Sequence, residues 1–79
     1  MFRPEEIVDR LRQKPFQPFV IVASEGLRYE IQHPDLVHVS ERTVLILHAH
    51  PRRPTLFNRE TRLAIIHIVA IEEHSDATA

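Results

Sequence analysis

The chain contains no cysteine among its 79 residues. This absence excludes cysteine-ligated zinc, thiol nucleophiles, redox pairs and disulfides. Glycine occurs once, as Gly26, so no serine or threonine stands in the glycine-bracketed elbow that exposes a nucleophilic hydroxyl. The sequence therefore carries no catalytic signature, and we expect a non-enzymatic protein with no catalytic residues and no cofactor.

Long apolar runs are also absent, and none approaches the roughly 18 residues that a membrane-spanning helix needs. The first ten residues, MFRPEEIVDR, are charged where a secretory signal peptide would be apolar. We therefore expect a cytoplasmic protein with no membrane partner. A chain of this length suffices for one core, which predicts a single domain over residues 1–74 and a flexible tail at 75–79.

Charge is nearly balanced, at −1 overall, but it is unevenly distributed along the chain. Residues 42–62 contain five arginines and one acidic residue, Glu60, whereas the segments on either side are acidic. An anionic partner would be attracted first to this arginine-rich segment. Phe57 lies within it and offers an aromatic ring on which a nucleic-acid base can stack.

The first predicted element is a short helix at about residues 4–14. Pro4 suits the first helical position, and Glu5 and Glu6 complement the positive end of the helix dipole. Pro15 ends the pattern. A helix this short is marginal by itself, so we expect it to dock on the rest of the protein.

From Phe19 onward the sequence predicts short strands, and the protein should therefore be mainly β. LRYEIQ alternates apolar and polar residues, and Gly26 precedes it where a hairpin turn needs positive φ. A second hairpin turns at residues 40–42, the loop HPRRPTLFNRE follows, and TRLAIIHIVAIEE is long enough for two strands with a bend near His67. One helix and about five strands, without helical crossovers, predict a small antiparallel barrel that is strongly bent.

The order of elements resembles the Sm-like family, whose members have an N-terminal helix and a five-stranded, strongly bent SH3-like barrel. Three segments carry the resemblance: the hairpins FVIVASEGLRYEI and VHVSERTVLIL, and the strand junction LAIIHIVAIEE. The chain is also similar to a widespread group of small bacterial proteins through RPEE, KPFQPF, HPDL and HIVAIE. The Sm-like resemblance implies a five-stranded Sm-like barrel, assembly into rings and RNA as a partner.

Two motifs with which Sm-like proteins contact RNA bases are different here. The aspartate and asparagine pair of the second hairpin is replaced by Ser40, Glu41, Arg42 and Thr43, and no arginine-glycine step stands beside His67. The Hfq branch of the family places a histidine near this last turn, which implies a ligand contact for His67; a bend or interface residue is the alternative. The predicted contacts with single-stranded RNA or another anion are Arg52, Arg53, Arg59, Arg62, Phe57 and His67.

His48 and His50 flank Ala49 in a predicted strand, which places both imidazoles on one face about 7 Å apart. Two imidazoles can supply part of a zinc site, but a third or fourth ligand such as His38 or Glu60 would be needed. We expect no metal site. A metal- or ligand-binding protein built on these histidines is the alternative.

The C-terminal segment LAIIHIVAI contains eight apolar residues out of nine. A sheet with one face in water needs a polar residue at every second position, so this segment is expected to be buried on both faces. One short helix cannot cover so much apolar surface, and we therefore predict a homo-oligomer in which neighbouring chains pair their last strands. A scaffold covered by another protein, with no nucleic-acid role, is the alternative. The predicted interface residues are Leu63, Ile65, Ile66, Ile68, Val69 and Ile71.

Overall fold

A computed structural model describes residues 1–53 and 56–73 of the chain. Its helix and strands are α1 (Pro4–Leu11), β1 (Phe19–Ala23), β2 (Arg28–Ile31), β3 (Val37–Val39), β4 (Thr43–Ala49), β5 (Phe57–Ala64) and β6 (Ile68–Glu73). Single-turn 3-10 helices form the first turn (Ser24–Gly26), the second turn (Pro34–Leu36) and the third turn (Ile65–His67). The protein is therefore mainly β with one N-terminal helix, as predicted. The predicted tail at 75–79 lies outside the described residues.

Helix α1 begins at Pro4, where a missing backbone N–H costs no hydrogen bond. The Arg3 backbone N–H donates to Glu6 Oε1 over 3.1 Å, which closes the first helical turn. The helix ends at Leu11 and is shorter than the predicted 4–14. The ring of Pro15 disfavours a helical conformation for the residue before it, so the chain leaves the helix ahead of the proline.

The strands form two three-stranded antiparallel sheets, in the orders β2-β1-β6 and β3-β4-β5. In the first sheet, Ile21 of β1 lies opposite Tyr29 of β2 and Ile71 of β6. In the second sheet, Ile46 of β4 lies opposite residues of both β3 and β5. Within the described residues β1 and β4 are therefore the central strands, and the other four strands each have one unpaired edge.

The described residues form six strands, whereas about five were predicted. The second turn begins at Pro34, which has no N–H to donate, and this turn separates β2 from β3. The strands of the described residues pair as two separate sheets rather than as one closed ladder. The bend predicted near His67 is confirmed, since the third turn separates β5 from β6. The strand before this bend starts at Phe57, inside the predicted loop, because Phe57 and Arg59 pair with the end of β4.

The first turn needs left-handed backbone at two successive positions. Glu25 has φ 71° and Gly26 has φ 81°. The prediction that Gly26 supplies a positive φ to the first hairpin is therefore confirmed. A side chain at this position would strain the backbone, although the space beside it is open.

The core between the inner faces of the two sheets is apolar. Ile21 contributes from β1, Val44 and Ile46 contribute from β4, and Ile7 reaches the same cluster from α1. No polar or charged side chain is buried in the described parts of the chain. The buried core residues are Ile7, Phe19, Ile21, Ile31, Val37, Val44, Ile46, Ile65 and Ile68.

The side chain of Arg10 connects α1 to the first sheet. Its Nη1 pairs with Glu73 Oε1 of β6, and its guanidinium carbon lies 5.1 Å from the centroid of the Phe19 ring. Its Nε and Nη2 atoms are buried, and neither has a hydrogen-bond partner among the described residues. The contact is therefore a partly buried ion pair joined to a cation–π interaction.

We expect Arg10→Ala to lower the free energy of unfolding by about 1–3 kcal/mol, because it removes the cation–π contact and leaves Glu73 without its partner. Arg12→Ala is the matched control, since Arg12 is exposed just beyond the helix, and it should change stability by less than about 0.5 kcal/mol. Urea unfolding followed by circular dichroism measures both values. Equal losses in the two variants would contradict the assignment.

Candidate functional site

Polar side chains occupy the inner face of the second sheet at one of its ends. Along β4, the inward positions change from buried Val44 and Ile46 to half-buried His48. On β5, Thr61 lies opposite Ile46, and Arg59 lies opposite His48. The inner surface therefore changes from apolar to polar towards the end of β4. Residues 50–56, which connect β4 to β5, are called the arginine-rich loop below.

This polar end opens into a cleft of about 560 Å³ between β2 and the β4–β5 pair, which we call the His48 cleft. Its lining residues are Leu27, Arg28, Tyr29, Glu30, His48 and Arg59. His48 Nε2 lies 2.8 Å from Thr61 Oγ1. The ring centroids of Tyr29 and His48 are 6.4 Å apart, with a 51° angle between the ring planes. Strands of both sheets thus bring a phenol, an imidazole and a guanidinium to one opening.

The electrostatics of the cleft keep His48 neutral near pH 7. Burial lowers the pKa of His48, and the positive charge of Arg59 lowers it further. The Nε2 atom accepts from the Thr61 hydroxyl or donates to it, according to the tautomer. His48 is therefore an oriented, uncharged hydrogen-bonding group beside a cation.

Neither Tyr29 nor Thr61 was among the predicted site residues. The alternation of LRYEIQ already places Tyr29 on the inward face of its strand. Thr61 carries no such signal, because its contact with His48 depends on the register between β4 and β5. The signal that could have indicated this cleft is His48, a polar residue at an inward position of an otherwise apolar strand.

The arginine-rich loop begins with a turn organised by His50. Its Nδ1 accepts hydrogen bonds from the backbone N–H groups of Arg52, at 3.0 Å, and Arg53, at 3.2 Å. Both arginines are exposed, and so is Phe57 at the start of β5. These three predicted RNA contacts are therefore accessible to solvent at the same end of the second sheet.

The other three predicted RNA contacts lie elsewhere. Arg59 lines the His48 cleft, whereas strand alternation places Arg62 on the opposite face of β5. His67 is exposed in the third turn, beyond the far end of β5, and its backbone carbonyl accepts a hydrogen bond from Ser24 Oγ over 3.2 Å. A single chain therefore does not gather all six residues on one surface.

His48 and His50 have different hydrogen-bond partners. His48 contacts the Thr61 hydroxyl, whereas His50 contacts loop backbone beyond a β-bulge between His48 and Ala49. In residues 1–53 and 56–73, no three histidine, cysteine or acidic side chains come close enough to hold a metal ion. The two imidazoles are thus each held within the protein by a separate contact.

The predicted interface residues separate into buried and exposed sets. Ile65 and Ile68 are each 4% exposed and belong to the core of the chain itself. Leu63 and Ile71 are partly buried and pack against the core.

Ile66 and Val69 are 69% and 59% exposed. They line a groove of about 550 Å³ together with Met1, Phe2, Glu6 and Ile68. We call the exposed side chains of Ile66 and Val69, together with this groove, the C-terminal corner. Within one chain, the outer face of this segment is open in the described structure, and its burial by a neighbouring chain stays a prediction.

Comparison with known proteins finds no matching family model, curated protein or solved structure. The described part of the chain also contains no helix with the length and apolar character of a membrane span. Functional proposals for this chain therefore rest on its own geometry, above all on the His48 cleft, the arginine-rich loop and the C-terminal corner.

We expect His48 to titrate below the ordinary histidine value of about 6.5, because burial and Arg59 both disfavour its charged form. Arg59→Gln should raise this pKa only in part, since burial is the larger cause. Arg62→Gln, on the opposite face of β5, should leave it unchanged. NMR titration of the imidazole resonances measures all three values.

The same shift has a consequence for stability. Because the unfolded chain binds the His48 proton more tightly, this residue destabilises the fold as the pH falls below about 6.5. A His48 pKa at or above the ordinary histidine value of about 6.5 would contradict the assignment.

Proposed function

We propose that the protein is a non-enzymatic binding module that self-associates through its C-terminal strands. The observation that carries the proposal is the exposure of Ile66, at 69%, and Val69, at 59%, beside the unpaired edge of β6. Full burial of a side chain of this type contributes roughly 1.5–3 kcal/mol, so covering both gives a neighbouring chain a substantial gain. The occupant we propose for the C-terminal corner is a second copy of this chain.

The edge of β6 suits such pairing. Its backbone is hydrogen-bonded to β1 on one side, and the other side offers N–H and C=O groups to an added strand. The two acidic residues at its end already have partners within the chain, since Glu72 pairs with Arg28 and Glu73 pairs with Arg10. An added strand would therefore not have to cover isolated carboxylates.

The arrangement of elements supports a barrel of the SH3-like or Sm-like kind. The helix precedes the strands, the first and last strands are neighbours in one sheet, and a 3-10 turn joins the two sheets before the last strand. We propose that the two sheets enclose one small barrel core, with Ile21 and Ile46 at the centres of its two layers. Assembly of several copies would follow the resemblance to the Sm-like family.

We further propose that assembled copies contact single-stranded RNA through the arginine-rich loop. Arg52 and Arg53 are exposed, and their backbone N–H groups donate to His50 Nδ1. Phe57 is exposed at the adjoining strand end and offers its ring to a base. In an oligomer, each copy would repeat this group of residues.

Ile66→Glu is expected to break the assembly, because it places a charge in the apolar interface. Sedimentation velocity at several salt concentrations should show an oligomer for the unchanged chain, and the variant should raise the dissociation constant by about 30-fold or more. Leu27→Glu is the matched control: Leu27 is 53% exposed, lies in the first hairpin and should not affect assembly.

Three outcomes oppose this proposal. A chain that is monomeric at every salt concentration would exclude self-association, and a monomer that co-purifies with one defined protein would favour the scaffold alternative. Equal effects of Ile66→Glu and Leu27→Glu on the dissociation constant would show that the interface does not lie at the C-terminal corner.

For the RNA contact, we expect the double variant Arg52→Ala with Arg53→Ala to weaken binding of a single-stranded oligonucleotide. Loss of two phosphate contacts should reduce the slope of log affinity against log salt by up to about 1.4. Fluorescence anisotropy measures both quantities. Arg3→Ala with Arg12→Ala, which removes two exposed charges at the ends of α1, is the control. Unchanged binding by the loop variant would exclude the proposed contact.

A further inference from the structure

We propose that the His48 cleft binds a phosphate group. Its lining combines the guanidinium of Arg59, the imidazole of His48 and the phenol of Tyr29 within one opening of about 560 Å³. Charged and neutral donors of these types are the groups with which proteins hold phosphate oxygens. This inference does not depend on self-association or on the arginine-rich loop.

Arg59 provides the positive charge that attracts the ligand. The ion pairs found within residues 1–53 and 56–73 use Arg10 and Arg28, so none of them neutralises Arg59. Its backbone is held opposite His48 by the β4–β5 ladder. Since His48 is uncharged at neutral pH, the residue opposite Arg59 on β4 is a neutral polar group, and Glu30 is the acidic residue of the cleft lining.

The other charged residues of the cleft limit how much negative charge a ligand can carry. Arg28 is already balanced by Glu72 on the outer face of the first sheet. Glu30 lies on the same outer face, since it alternates with inward-facing Tyr29, and it accepts a hydrogen bond from Gln32 over 3.4 Å. Because Glu30 repels additional negative charge at the rim, the cleft suits one phosphate group better than a polyphosphate.

The same cleft offers apolar surface to the organic part of a phosphate ester. Leu27 is half-exposed at its margin, and the Tyr29 ring lies beside His48, with 6.4 Å between the ring centroids. An aromatic or apolar group can pack on these side chains while its phosphate reaches Arg59. The source of the phosphate is then either a small ester such as a mononucleotide or the backbone of single-stranded RNA.

The test is an NMR titration of the full chain with inorganic phosphate and, separately, with adenosine 5′-monophosphate. We expect saturable shifts at Tyr29, His48, Arg59 and Thr61. Arg59→Gln should weaken binding of both probes about 10-fold or more, because it removes a charge-assisted contact. Arg62→Gln is the matched control, since it removes an arginine of the same strand from the opposite face.

A second measurement reports on the contact itself. Saturation with phosphate should raise the pKa of His48, because a neighbouring anion favours the imidazolium form. The other charged or titratable groups that line the cleft are Arg28, Tyr29, Glu30 and Arg59. Thr61→Val is a further variant, and it should weaken phosphate binding while circular dichroism remains unchanged.

Three results would overturn the proposal. These are the absence of saturable shifts at the cleft, equal weakening by Arg59→Gln and Arg62→Gln, or a His48 pKa that phosphate does not raise. The source of the phosphate is decided by a third titration with oligouridylate. Weakening of the mononucleotide and the oligonucleotide by Arg59→Gln supports RNA as a source, and weakening of the mononucleotide alone supports a small ester. Ile66→Glu should alter none of these affinities, which separates this test from that of assembly.

Discussion

The third turn joins the two sheets, and its position determines which C-terminal side chains are buried. The backbone N–H of Ile65 donates to the carbonyl of Arg42 over 2.9 Å, and the Ser24 hydroxyl donates to the His67 carbonyl. These hydrogen bonds tie the turn to the second hairpin on one side and to the first hairpin on the other. With the turn fixed, Ile65 and Ile68 enter the core, and the C-terminal corner is left outside.

The sequence was informative wherever strand alternation or turn chemistry acted locally. Gly26 marked the first hairpin because few other residues adopt positive φ, and the length of the last apolar segment predicted a bend near His67. The burial of that segment could not be predicted in the same way. A 3-10 turn repeats every three residues, whereas a strand repeats every two. The turn therefore directs both Ile65 and Ile68 inward, although the apolar and polar residues of this segment do not alternate.

The candidate site could not be predicted from local sequence patterns, because it depends on contacts between residues that are distant in the sequence. His48 was noticed as half of a histidine pair, but its contact is Thr61, which lies across a loop. The register that brings them together includes a bulge after His48, and no local pattern specifies where a bulge falls. Arg59 and Arg62 looked equivalent for the same reason: only their placement on a paired strand assigns them to opposite faces.

The cleft and the C-terminal corner are linked through stability. A small domain buries a limited share of its surface, so each inward position held by a polar residue reduces an already small core. Apolar residues in place of His48 and Thr61 would extend the buried layer of Ile46, at the cost of the polar lining. Association of copies at the C-terminal corner, as we propose, would offset the stability that is lost because the cleft residues are polar. The proposed phosphate site and the proposed interface lie towards opposite ends of β5, so binding at one would not obstruct binding at the other.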